Sequence, residues 1–136
     1  MKNKGQSLVE LGISFLMLMF LLSGAVEFGI MFFQYVQLQD AAQEGALYGS
    51  MYPYDTVSIE ERVRNSSHSP IDLSNPEVEI FISYPDNSLC EGKAVKVDVV
   101  YYHNVFMPFL PQLLRSDVIM LRGEVVDTIL NQSCYE

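Results

Sequence analysis

Three pairs of side chains in the 136 residues have the type and spacing to do chemistry. Glu10 and Glu27 bracket an apolar run, Leu11 to Val26 (LGISFLMLMFLLSGAV), that carries no charge. A carboxylate at the edge of hydrocarbon demands water or a cation, so the chemistry open to this pair is charge pairing. Cys90 and Cys134 are the two cysteines, and an even count in an oxidising compartment suits a disulfide. His68 and His103 are the side chains that titrate near neutrality when unperturbed. His68 falls in a polar loop and His103 closes a strand, and neither stands at a metal-ligand spacing from Cys or the other His. Gly-rich phosphate loops, nucleophile elbows and Cys-x-x-Cys pairs are missing from the sequence. The acidic residues are scattered, as on solvated faces. The chain therefore reads as no enzyme, with no catalytic residues, no cofactor and no metal.

The apolar run is the element that positions the carboxylates. Its sixteen residues rise about 24 Å as a helix, short of the roughly 30 Å hydrocarbon core. Leu8, Val9 and the stretch from Phe28 to Phe33 supply the rest, giving a membrane span at about 8–33. Phe32, Phe33 and Tyr35 then lie near the outer headgroups. Lys2 and Lys4 precede the run and the next basic residue is Arg62, which puts the N-terminus in the cytoplasm and the rest outside. Seventeen acidic against eight basic residues give a charge of −9, and no basic cluster exists to meet phosphates, so nucleic acid is excluded as a partner. Glu27 is expected to mark the outer boundary with its carboxylate reaching water, and the two glutamates are read as sharing one helix face. A secretory signal peptide competes for this segment, with MKNK as its basic start and Ser23-Gly24-Ala25 as a cleavage site. Glu10 within the start of the run, and apolar character continuing to Phe33, weigh against it.

Helical signals persist to Pro53, so one helix is expected over about 7–51, roughly 67 Å long. Its outer half carries a stripe of small residues, Ala41, Ala42, Gly45, Ala46 and Gly49, that permits close backbone approach. The approaching partner is either the chain's own domain or neighbouring helices. Tyr52-Pro53-Tyr54-Asp55 turns the chain, Asp55 or Thr56 caps a short helix with Ile59 and Val63 on one face, and 65–70 is a polar loop. Strands follow at 77–84, 94–102 and 117–130 by alternation, with Val78, Ile80, Ile82 and Tyr84 on one face of the first. Val95, Val97, Val99 and Tyr101 share a face of the second, and Ile119, Leu121, Val125 and Ile129 of the third, where Gly123 is expected to mark a bulge. The segment VFMPFLPQLL between the last two strands is unusually apolar for a connection. It reads first as a short helix capping the core, begun by Pro108 or Pro111, and second as an exposed patch for membrane or partner contact. The fold class is α+β: a long N-terminal, partly transmembrane helix packed on a small antiparallel sheet of about three strands. Residues 53–136 form the small domain outside the cytoplasm. In a three-strand meander the first turn and the end of the third strand meet at one sheet edge, which brings Cys90 and Cys134 within bridging distance.

The segment Lys4-Gly5-Gln6-Ser7-Leu8-Val9-Glu10 resembles the processing site of type IV prepilins: a short basic leader, a Gly, and a mature apolar helix with Glu at its fifth position. More broadly, the sequence from Gly5 to Met51 is similar to the N-terminal region of TadE-like proteins, pseudopilins of the tight-adherence (Tad, or Flp) pilus system. Gly5-x-x-x-x-Glu10, the Val26-Glu27-Phe28-Gly29 block and Ala41-Ala42-x-Glu44-Gly45-Ala46 carry the likeness. Leu121-Arg122-Gly123-Glu124 is a weaker echo of the family's Arg-x-Glu, and the apolar run lacks the Pro that many members have near its middle. The resemblance implies a pilin-like outline with a leader at 1–5 and a long helix at 6–52. It also implies cutting by a prepilin peptidase between Gly5 and Gln6, and residence in the cytoplasmic membrane before passage to a pilus at the cell surface. Other pilin subunits and the pilus assembly platform are the implied partners. Contacts run through the N-terminal helix, with Glu10 and Glu27 as assembly residues and the new Gln6 amine facing a neighbour's Glu10. Two other readings stay open: a single-pass anchored binding domain that does not polymerise, starting at Met1, and a secreted domain starting at Val26.

Overall fold

The computed structural model describes residues 4–107 and 110–131. Residues 1–3 of the expected leader, Pro108 as a helix start, Phe109 and Cys134 lie outside them. Helix α1 spans Lys4–Met51 without a break, about 70 Å of continuous helix. No proline interrupts it, and Pro53 ends it because its ring removes a donor and restricts the residue before it. Ser50 Oγ donates to the Leu47 carbonyl at 2.8 Å, and Tyr52 N–H to the Tyr48 carbonyl at 3.0 Å, closing the last turn. The expected cap holds: α2, Thr56–Asn65, begins at Asp55, whose carboxylate accepts from Ser58 N–H at 3.1 Å. Ser58 holds the Asp55 carboxyl below its ordinary range.

Three strands, β1 (Glu79–Ser83), β2 (Ala94–Asn104) and β3 (Val118–Thr128), form an antiparallel meander in the order β1-β2-β3. Alternation decides the faces. Val95, Val97 and Val99 are fully buried toward α1, while Lys96 and Asp98 point to the other side. Ile59 and Val63 of α2, Leu38, Ala41, Ala42 and Ala46 of α1, and Ile71, Leu73 and Val78 complete the core. The small-residue stripe of α1 is thus filled by the chain's own domain. A Cβ on Gly45 would stand 2.5 Å from Val63 Cγ2 and 3.3 Å from Val97 Cγ1, and one on Gly49 would stand 3.1 Å from Val95 Cγ2. These contacts show β2 running opposite to α1, and β3 therefore runs with it. Leu130 N–H donates to the Ser50 carbonyl at 2.8 Å at the top of that arrangement.

Gln37 ties the loop after α2 to the helix. Its amide donates to Ser67 Oγ at 2.8 Å and to the Ile71 carbonyl at 2.7 Å, and its oxygen accepts from Ile71 N–H at 3.1 Å. A buried loop backbone needs such partners, and this one side chain provides two, with a third bond to the Ser67 hydroxyl.

Gly123 differs from its expected role. The β2–β3 register is continuous through the Val99↔Gly123 pair, so there is no bulge. The glycine is required because the α1 backbone crosses there: a Cβ would collide with the Leu38 carbonyl group and stand 2.7 Å from Gln39 N. Backbone cannot yield as a side-chain tip does, so Gly123→Ala should destabilise the domain by about 1–3 kcal/mol, the usual cost of overpacking. Thermal melting in detergent checks this, with Gly12→Ala, whose Cβ would meet open space, expected to melt like the parent.

Candidate functional site: the bare half of the helix and its joint to the domain

From Gly5 to Val26, α1 is exposed but for partial cover at Gly24. Gly5, Gln6 and Glu10 all belong to this stretch, on one regular helix. No salt bridge among the described residues involves Glu10, and the first lysine or arginine after Lys4 is Arg62. Of the described elements, α1 is the one long and apolar enough to cross a membrane, and almost none of its apolar window is buried in the chain. Glu10 and Glu27 do not share a face as expected. Seventeen steps of 100° leave them about 100° apart around the axis, so Glu10 is turned by about a quarter of the helix from Glu27 and lies well below the part of the helix that docks the domain.

Glu27 is where that docking begins. It is 3% exposed. Its Oε1 lies 2.8 Å from His103 Nε2 and accepts the Phe106 N–H at 3.1 Å. The expectation that its carboxylate reaches outer water is corrected: the last residues of β2 fold over it. A buried carboxylate needs donors, and with Glu27 ionised His103 Nε2 must carry the proton that faces it. Met107 closes the joint from below, its Cε 3.9 Å from where a Cβ on Gly24 would be. Seven residues on, Gln34 is also buried on the domain side, and its Oε1 has no hydrogen-bond partner among the described residues. The sequence singles out His103 as a titrating side chain but does not pair it with Glu27. It continues the parity of Val95, Val97, Val99 and Tyr101, so its inward direction was available from alternation alone.

At the opposite end of the domain, Gly92 N–H donates to the Ile129 carbonyl at 2.9 Å, and Ile129 N–H to the Lys93 carbonyl at 2.8 Å. The first turn and the end of β3 therefore meet at one edge. Cys90 is disulfide-bonded, and Cys134, its expected partner, lies outside the described residues. On the outer sheet face Arg122 reaches Asp98 Oδ1 at 2.7 Å and Glu124 Oε2 at 3.0 Å, and Lys96 reaches Glu124 Oε1 at 2.7 Å. The Asp98 carboxylate raises the Arg122 pKa, and the Lys96 ammonium lowers that of Glu124. The signs balance, and Arg122, Glu124 and Lys96 are partly exposed, pairs of a kind that add little stability, while Asp98 is buried beneath them with Arg122 satisfying its carboxylate. No group of three or more metal-ligating side chains comes together among the described residues.

The helix is also where the chain is like known proteins. The family model for TadE-like protein matches residues 5–47, which takes in Gly5, Gln6, Glu10, the Glu27 joint and most of the small-residue stripe. The match does not extend to the Arg122-Gly123-Glu124 segment. No curated protein and no solved structure matches the chain.

Proposed function

With residues 5–47 TadE-like, we propose that the chain is a pilin-like structural subunit of a Tad-type pilus. In this reading it is a pseudopilin or minor pilin, cut between Gly5 and Gln6 by a prepilin peptidase and assembled through its N-terminal helix. The observation that carries it is the division of α1. Above Glu27 the helix is committed to its own domain, and below Val26 it is a bare apolar rod with one carboxylate, Glu10, at the fifth position after Gly5. The rod from Leu8 to Val26 is about 28 Å long, close to the thickness of the hydrocarbon core. A free subunit would keep it in lipid, with the domain outside the cytoplasm, and an assembled one would pack it among other subunits at the assembly platform. Glu10 would meet a neighbour's Gln6 amine there, while Glu27 would serve assembly indirectly by fixing the domain's height on the helix.

One observation favours a second reading. The contacts that the domain makes with α1 start at Gly24 and Glu27, so cleavage after Ala25 by signal peptidase would release a domain that keeps nearly all of its docked helix. The mature N-terminus separates the readings. Intact-mass analysis of the native protein is expected to start at Gln6. A start at Val26 means a secreted domain, and a start at Met1 an anchored protein that is never processed. Gly5→Leu should block processing, since a branched side chain crowds a site that accepts glycine; normal cutting of that variant would move the cleavage site elsewhere.

A further inference from the structure

We propose that the tip between β2 and β3 is a second membrane contact, so that the domain rests on the outer lipid surface as well as on α1. This rests on the membrane reading of α1 and adds a surface to it. The tip lies at the height where the bare rod ends: Phe106 N–H is bonded to Glu27 and Met107 reaches Gly24. Of the tip's described apolar side chains, Met107 alone is buried against the helix, whereas Phe106 is 89% exposed and Leu114, in the short helix α3 (Leu110–Leu114), is 48% exposed. The expected short helix is present, but none of its described residues joins the buried core, and its neighbour Phe106 caps nothing in the chain. On the outer sheet face the pair nearest the tip that is large and apolar, Tyr102 and Met120, is also exposed. Charge begins only one pair further out, at Arg122, followed by Asp98 and Glu124.

Lipid is the occupant that fits. The exposed aromatic residues of α1 at and just above this height, Phe28, Phe32 and Phe33, are the type that gathers at headgroup level, and Phe106 stands beside that belt. The chain carries −9 overall, yet residues 105–118 hold one Arg and one Asp, so the tip can approach an anionic surface that would repel the rest of the domain. Arg115, in a left-handed turn at φ 56° directly after α3, is exposed and supplies a cation of the kind that pairs with phosphates.

The chain contains no tryptophan, so a single substitution makes a depth probe. Full-length Phe106→Trp and Leu114→Trp, each reconstituted in phosphatidylcholine vesicles, are expected to emit at blue-shifted wavelengths. Each should lose most of that emission when the lipids are brominated near the headgroup. Leu18→Trp, in the middle of the rod, reports the span itself and should be quenched by deeply brominated lipid. Water-like, unquenched emission from both tip variants, with Leu18→Trp quenched, would overturn the tip contact and leave the span intact. An unquenched Leu18→Trp would instead remove the span reading. Blue-shifted but unquenched tip emission that grows with protein density would assign the surface to a second copy of the chain and also overturn the proposal.

Discussion

Glu10→Ala is expected to give a protein that is cleaved, inserted and folded normally but enters pili or their assembly complex on the order of a hundredfold less well. The estimate follows from the cost of an ionised group in hydrocarbon, about 2.5–3.5 kcal/mol at a helix centre. In the single chain no described residue forms a salt bridge with Glu10, and it lies on the stretch of the helix that the domain leaves bare. Folding gives it no task. If the leader is removed after Gly5, the Gln6 α-amine becomes the nearest new cation, and within one helix it stands at the fraying end, about a turn below. Between neighbouring helices the two charges can meet in a low dielectric, and removing one leaves the other buried and unpaired. Glu10→Asp, one methylene shorter, should do partial damage. Comparing the cleaved protein in membrane and pilus fractions reads both variants. Wild-type incorporation of cleaved Glu10→Ala would make Glu10 a simple boundary residue.

Breaking the disulfide at Cys90 should be the largest single blow to the domain. If Cys134 is the partner, the bridge closes a loop of about 45 residues, and the chain-entropy model gives about 4 kcal/mol. A domain of some 80 residues has on the order of 4–12 kcal/mol in total, so reduction should lower its melting temperature by about 15 °C or more. Non-reducing mass mapping should return a peptide pair containing Cys90 and Cys134. Both thiols free in protein from its native compartment, or melting indifferent to reductant, would contradict this. The hydrogen bonds joining Gly92 and Lys93 to Ile129 hold this sheet edge together beside the bridge, so the reduced domain should open from that end first.

Local patterns were legible in the sequence wherever one residue type has one physical use. Pro53 ended α1, Asp55 capped α2, and the alternating valines of β2 showed their buried face. The small-residue stripe announced a close approach without saying whose. Its filling by Val63, Val95 and Val97 depends on where the strands lie along the helix, and strand alternation carries no information about height. The same gap hid the Glu27–His103 joint. Alternation turned His103 toward the helix, but only the tertiary offset between β2 and α1 sets it against Glu27. Gly123 was misread for a related reason. A glycine in a strand reports that something cannot tolerate a Cβ, and the intolerant group was the backbone of α1, some 85 residues earlier in the chain.

Both long strands lie along α1, one with it and one against it, and their contacts run from Glu27 at one end to Ser50 at the other. In mechanical terms the domain is glued to its shaft along a lap joint. A pull on the shaft parallel to its axis must slide the whole face at once, loading the Glu27 bonds, the valine contacts and the Leu130–Ser50 bond together. A pull across the axis would peel them one after another. A subunit drawn along its own helix therefore meets its domain in the direction of greatest resistance.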